Sequence, residues 1–348
     1  MPLNYEHIIL ADFGAGAVLI SFGAILGKCS IFQLWVMATF EVFFYCLNEA
    51  ILTDIFKIFD IGGSMVIHTF GAFFGLSVAL FYQSEAAIND ELGIGVGNYL
   101  SDLVSMIGTL FLFCFWPSFN GAMGDGAAMH RAYINTYLSI TASVIASIIV
   151  AKATHEGKLE MEIVLNASLA GGVAVGSAAD IIVKPFGAML AGFITGTVSS
   201  LGFAFLSKYL QKSKLKLHDT CGVLNLHGMP GLIGGFVSAI VASRMEGNFM
   251  GEYSRFQKDG RSAQTQAGFQ LAGTFLSLGL AIFTGLITGY ITSRPWFQPP
   301  PQQALFDDRY HWDACIIEHE ELHDLKKLVN NDQSRSKVHS DADDSSRK

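Results

Sequence analysis

The sequence has few charged residues for its length, and this deficit argues against a soluble fold. Only 15% of its 348 residues are Asp, Glu, Lys or Arg, whereas soluble domains carry about 25%. Basic residues are scarcer than acidic ones, 22 against 30, which gives a formal net charge of −8. Because nucleic-acid binding requires a basic stripe or patch, this balance argues against a nucleic-acid partner.

Cysteine is also rare and follows no binding pattern. The five cysteines show no CxxC spacing, so they indicate neither a disulfide framework nor a zinc site. We interpret them as reduced packing residues and expect no metal and no cofactor.

Apolar sequence is abundant instead. Hydrophobic residues make up 51% of the chain and the mean hydropathy is +0.40. A bilayer core of about 30 Å needs roughly 20 apolar residues per helix, and nine segments meet that requirement. They are 8–27, 31–56, 62–82, 101–119, 132–152, 161–180, 185–206, 221–243 and 267–291. The sequence therefore predicts an all-α polytopic membrane protein with about nine transmembrane helices.

The charges are concentrated at one end of the chain. Residues 293–348 hold 19 of the 52 charged side chains. We therefore expect a transmembrane domain over 1–292 and an acidic, disordered tail over 293–348. Most lysines of the short loops fall on the side of the membrane that the tail shares, which indicates that the tail is cytoplasmic.

One stretch of the sequence occurs twice. DIGGSMVIHTFGAFFGL begins at Asp60 and has a counterpart, DTCGVLNLHGMPGLIGG, that begins at Asp219. In each, seven residues separate the aspartate from a histidine, His68 or His227. A helical rise of 1.5 Å per residue carries each histidine about 12 Å from its aspartate. The helix count makes the two copies enter from opposite faces, so both histidines are expected near the midplane, within hydrogen-bond reach.

A second, weaker sequence similarity extends this repeat. GAGAV in the first helix, from Gly14, resembles GGVAV in the sixth, from Gly171. Helices 1–3 thus match helices 6–8, which predicts an inverted repeat of the kind found in transporters and channels.

For each candidate site residue, core packing or helix capping is an alternative to a functional role. A single histidine in an apolar helix is usually a satisfied core residue, but two at matched depth favour a pathway, because intramembrane ionisable residues are costly. For Asp60 and Asp219 we favour capping of a helix start over direct contact with substrate.

With these residues in place, the chain resembles the Rh glycoprotein branch of the ammonium transporter (Amt/Mep/Rh) family. The resemblance runs from about residue 9 to about 313. It rests on the two stretches above and on MIGTLFLFCFWPSFN, HRAYINTY and NASLAGGVAVG. It implies an ammonium-transporter-type bundle in the plasma membrane, a homotrimer, transport of ammonium or ammonia, and carbon dioxide as a further substrate.

The resemblance also implies roles for individual residues. His68 and His227 match the twin histidines that line the family's pore, and Asp60 and Asp219 match its paired aspartates. Phe13 and Phe119 match the two phenylalanines that form the outer gate. Without the family, these two rings would be interpreted as part of an aromatic belt at the membrane interface.

Two further polar residues, Glu49 and Asn120, fall toward the outer face. A carboxylate there can raise the local concentration of cations, although a solvated helix end is an equal alternative. Because a bare ammonium ion loses its hydration in an apolar constriction, we expect ammonium to be recruited outside and to pass as ammonia between neutral imidazoles.

The chain also departs from the family. Family members have eleven or twelve spans, so nine would make this domain N-terminally incomplete. The alternative function is therefore a non-conducting structural or regulatory Rh-like subunit. HEELH, from His319 to His323, fits the H-E-x-x-H pattern of zinc peptidases, but no evident core surrounds it. We expect a solvated helix there, and no enzyme.

Overall fold

The fold was analysed in a computed structural model, which describes residues 4–89, 93–245 and 260–312. Within these ranges every regular element is helical. The helices are α1 Tyr5–Ile25, α2 Ile31–Ala50, α3 Phe70–Ala79, α4 Glu85–Asn89, α5 Tyr99–Gly121, α6 Gly126–Thr154, α7 Met161–Ala167, α8 Ala170–Val175, α9 Pro185–Leu201, α10 Ser207–Lys212, α11 Met229–Ser243 and α12 Ala263–Thr292.

The expected membrane spans are present, with one that is shorter than expected. Eight helical stretches of the described chain are long and apolar enough to cross a bilayer. The third expected segment, 62–82, is the exception, since its helix runs only from Ser64 to Ala79. It starts as six π-helical residues, Ser64–Thr69, and continues as α3. The remaining residues of the expected segment, on either side of this helix, form turns.

The long helices begin where the sequence provides capping side chains. At the start of α2 the Ser30 hydroxyl accepts a hydrogen bond from Gln33 N at 3.2 Å, and Gln33 Oε1 accepts from Ser30 N at 2.9 Å. This reciprocal pair satisfies two N–H groups that the first helical turn leaves free. Asn98 begins α5 and Ser262 begins α12 in a similar way.

The two copies of the repeat make equivalent contacts, each with a helix of the other half. The loop after Asp60 docks on the end of the sixth span, where Gly62 N donates to Gly176 O at 2.9 Å. The loop after Asp219 docks on the end of α1, where Cys221 N donates to Gly23 O at 3.0 Å. Each half thus supplies the surface on which the other half's histidine helix begins.

Small residues allow the helices of the bundle to approach closely. A Cβ atom added to Gly71 of α3 would lie 2.6 Å from the carbonyl oxygen of Ala17 in α1. A Cβ atom on Gly192 of α9 would lie 2.0 Å from the carbonyl oxygen of Ser139 in α6. Glycine is therefore required at these crossings, as in other membrane bundles.

The compact unit that contains the helices does not end with α12. It continues to Phe306, and a second unit begins at Asp307. Residues that follow α12 pack on the loop between α1 and α2: Phe306 N donates to Gly27 O at 2.8 Å, and the Ser30 hydroxyl donates to Phe297 O at 3.3 Å. The residues just after α12 therefore pack against the helices.

Candidate functional site

The two histidine helices begin at half-buried carboxylates. Asp60 Oδ2 accepts hydrogen bonds from Met65 N at 3.0 Å and Val66 N at 2.8 Å, and Asp60 Oδ1 accepts from the Ser177 hydroxyl at 2.6 Å. Burial raises the pKa of Asp60 to about 6, against the opposing effect of these donors. Asp60 therefore caps its helix, and Ser177 ties it to the other half of the repeat.

Asp219 caps the second histidine helix in the same manner. Its oxygens accept from Val223 N at 3.0 Å and Leu224 N at 2.9 Å. Burial raises the pKa of Asp219, although these bonds and the nearby Lys28 ammonium favour its charged form. Lys28 itself is buried and donates to the carbonyl oxygen of His218, and burial lowers its pKa to about 8.

The structure brings His68 and His227 into direct contact. Their Nδ1 atoms are 3.1 Å apart, and their rings are 9° from parallel with centroids 5.1 Å apart. Each histidine lies in a π-helical turn, Ser64–Thr69 or Leu224–Gly228. Since one Nδ1 must donate and the other must accept, at least one of the two imidazoles is neutral.

Aromatic rings surround this pair on one side. Trp116 stacks on His68 with centroids 5.8 Å apart, and Phe119 lies 5.9 Å from the same ring. Phe13 contacts Phe119 with centroids 5.1 Å apart, at an angle of 60°. The two phenylalanines are thus adjacent but tilted, and not stacked in parallel. Sequence reasoning missed Trp116, although it lies one helical turn before Phe119.

A cavity of about 230 Å³ opens beside Phe13. The residues that line it include Glu49, Asp60, Asp180 and Tyr45. We call this cavity the vestibule. Acidic side chains in this lining favour a raised local concentration of cations next to the aromatic rings. Sequence reasoning found Glu49 and Asp60 but not Asp180 or Tyr45, which no motif distinguishes.

Asn120 lies in the packing between three helices. Its side chain is fully buried, and its Nδ2 donates to Thr136 Oγ1 and to Gly172 O, both at 3.0 Å. These bonds join α5, α6 and α8, so the amide is part of the packing between helices and does not line the vestibule. The HEELH stretch lies outside the described residues.

The arrangement suits a small neutral ligand that can both donate and accept hydrogen bonds. His68 Nε2 is buried and has no hydrogen-bond partner among the described residues. A carboxylate-lined cavity leads to two phenylalanine rings, and the paired imidazoles follow. A charged species is favoured in the vestibule, whereas the aromatic region beyond it disfavours a full charge.

Comparison with known proteins gives consistent matches. Residues 6–296 match the model of the Ammonium Transporter Family. The chain is 45% identical over 321 residues to the ammonium transporter Rh type C of Canis lupus familiaris, covering 89% of this chain and 69% of that protein. It is 44% identical over 335 residues to the Rh type B transporter of Danio rerio, covering 94% and 72% of the two chains.

Solved structures match as well. Rh50 of Nitrosomonas europaea, from the Rhesus protein family of channels, superimposes with a TM-score of 0.79 at 32% identity, covering 95% of this chain and 81% of Rh50. A sensor Amt protein has the same fold, with a TM-score of 0.67 at 20% identity and coverage of 86% and 75%.

Proposed function

We propose, from the premise that this chain belongs to the Ammonium Transporter Family, that it passes ammonia across a membrane between His68 and His227. It is an Rh-type membrane protein of a transporter class and not of an enzyme class. Ammonium or ammonia is the substrate of that class. The route through the paired histidines is our inference from the geometry.

The observation that carries the proposal is the 3.1 Å contact between the two Nδ1 atoms. Two histidines 159 positions apart meet inside the bundle, and each is held on a helix that a carboxylate caps. Placing two imidazoles within an apolar bundle is costly unless they interact with each other or with a substrate. Ammonia can replace protein partners here, because it both donates and accepts hydrogen bonds.

The order of groups along the site supports a change from ammonium to ammonia. In the vestibule, the Glu49 carboxylate attracts the cation. At Phe13 and Phe119 the walls become apolar, and a bare cation there would lose the hydration that stabilises it. Ammonium therefore leaves its proton on the vestibule side, and neutral ammonia continues past His68 and His227.

Other parts of the proposal rest on the resemblance to Rh proteins. We place the chain in the plasma membrane with its C-terminal tail in the cytoplasm, and we expect three copies to assemble with one pore each. Carbon dioxide, a small neutral molecule, is a further substrate that the same apolar route would admit.

The proposal predicts rapid ammonia entry into proteoliposomes that contain the 348-residue chain. Entering ammonia takes up protons, so a pH-sensitive dye in the lumen should report alkalinisation after an ammonium salt is added outside. We expect a faster rise than in protein-free vesicles of the same size and lipid composition. Equal rates at matched protein incorporation, verified by quantitative gel, would refute conduction and favour a non-conducting subunit.

A further inference from the structure

Beyond the Gln33 cap, the face of α2 that packs into the bundle carries three polar side chains to which the proposed route between the histidines assigns no role. Glu41, Tyr45 and Asn48 follow the i, i+4, i+7 spacing of one helix face. Their exposed fractions are 0%, 1% and 0%. Polar groups are costly at membrane depth, so a whole buried face of them needs a reason.

This polar face of α2 packs along the helix that carries His68. Asn48 Nδ2 lies 3.5 Å from Val66 O, two residues before His68. The ring of Tyr45 packs edge-on against Phe70, two residues after it, with centroids 6.1 Å apart. The polar face of α2 therefore runs beside the histidine helix over the depth at which His68 lies.

At the far end of this face, the hydrogen bonds determine the protonation of Glu41. The Ser21 hydroxyl contacts Glu41 Oε1 and also Gly71 O, the latter at 2.7 Å. A hydroxyl has one hydrogen to donate, and a backbone carbonyl can only accept. Ser21 therefore donates to Gly71, and the Glu41 carboxyl group donates to Ser21, which requires Glu41 to be a protonated carboxylic acid.

Among the residues that the structure describes, no charged side chain beside Glu41 opposes that state. Ser21 faces Glu41 from α1, and Gly71 presents its carbonyl from α3. The third neighbouring helix, α12, contains no acidic or basic side chain between Ala263 and Thr292.

Each of the three side chains also has a polar atom without a protein partner among the described residues. These atoms are Glu41 Oε2, the Tyr45 hydroxyl and Asn48 Oδ1. Buried polar atoms of this kind are usually satisfied by ordered water. Because they lie on one helix face, about 10 Å from end to end by helical rise, a short row of waters can serve all three.

The face reaches the vestibule at Tyr45. Tyr45 lines that cavity together with Glu49, which lies one further turn along α2. Waters on the face can therefore exchange with the vestibule at Tyr45, while Glu41 lies at the closed end.

We propose that this face of α2 forms a hydrated pocket separate from the histidine pore, and that Glu41 binds a proton there and exchanges it with the vestibule. In that exchange the carboxylic acid gives its proton to an adjacent water, which becomes hydronium, and the Ser21 hydroxyl turns to donate to the resulting carboxylate; the reverse steps restore the acid. The inference deepens the proposed function, because the vestibule is where ammonium would release its proton.

Infrared spectroscopy of the full chain in lipid tests both parts of this inference. Glu41→Gln keeps a donor to Ser21, so it should fold, and it should remove one carboxylic-acid C=O band from the neutral-pH spectrum. Ser21→Ala should keep the band but shift it to higher frequency, since it removes the hydrogen bond. If neither variant alters any carboxylic-acid band, Glu41 is not a proton site.

The path from the vestibule is tested by transfer into D₂O. The Glu41 band should shift promptly as its proton exchanges, and Tyr45→Phe should slow that shift. Tyr137→Phe, a matched change of an exposed tyrosine on α6, should leave the rate unchanged. Equal rates in the two variants would overturn the path. Ammonia entry is scored separately, so its absence would refute the proposed function without altering the infrared result.

Discussion

Leucine in place of either His68 or His227 is expected to slow ammonia entry into proteoliposomes by about tenfold. Leucine fills a similar volume but offers no donor or acceptor, so ammonia in the constriction would lose a hydrogen bond. The two rings contact each other at 3.1 Å, and residues in contact do not act independently. The fold-reduction in the rate of ammonia entry should therefore be smaller in the double variant than the product of the two single fold-reductions.

A suitable control is His130→Leu, which changes a histidine of α6 outside the pair. Its rate should equal that of the unaltered chain. If all three single variants conduct equally at matched incorporation, the route does not pass between His68 and His227. Strictly multiplicative losses in the double variant would instead show that the rings act separately.

Alanine in place of Asp60 is expected to destabilise the folded chain by about 2–4 kcal/mol. The change leaves Met65 N and Val66 N without their side-chain acceptor and the Ser177 hydroxyl without its partner. The unfolding midpoint in detergent, followed by tryptophan fluorescence or by differential scanning, should fall clearly. Asp60→Asn keeps one acceptor oxygen, so its unfolding midpoint should fall by less.

Asp12→Ala serves as the comparison, because Asp12 is exposed on α1. It should shift the midpoint little. If Asp60→Ala were as stable as Asp12→Ala, the capping role would be wrong, and a direct role in holding the cation would become the better explanation for Asp60.

The repeat was the part of the molecule most open to prediction from sequence. The shared spacing from Asp60 to His68 and from Asp219 to His227 predicts two histidines at equal depth, and in the structure they touch. Helix periodicity and bilayer thickness are enough to predict the depth of each histidine, because both constraints act along a single helix. The match of residues 6–296 to the family model agrees independently with the resemblance seen in the motifs.

Features that depend on contacts between helices were not predictable in this way. The amide of Asn120 bonds to Thr136 and Gly172 of other helices, and no sequence pattern indicates these partners. Asp180 lines the vestibule without any motif to mark it. The π-helical turn from Ser64 to Thr69 has no sequence signature, since an α-helix and a π-helix share the same apolar pattern.

Solid-state NMR of the chain with ¹⁵N-labelled histidine rings tests the central claim, the paired-histidine site, most directly. The account predicts a through-hydrogen-bond coupling between one protonated and one unprotonated Nδ1, which requires the two nitrogens to lie about 3 Å apart. The coupling should disappear in both His68→Leu and His227→Leu. Absence of any such coupling, or protonation of all four ring nitrogens of the pair, would contradict it.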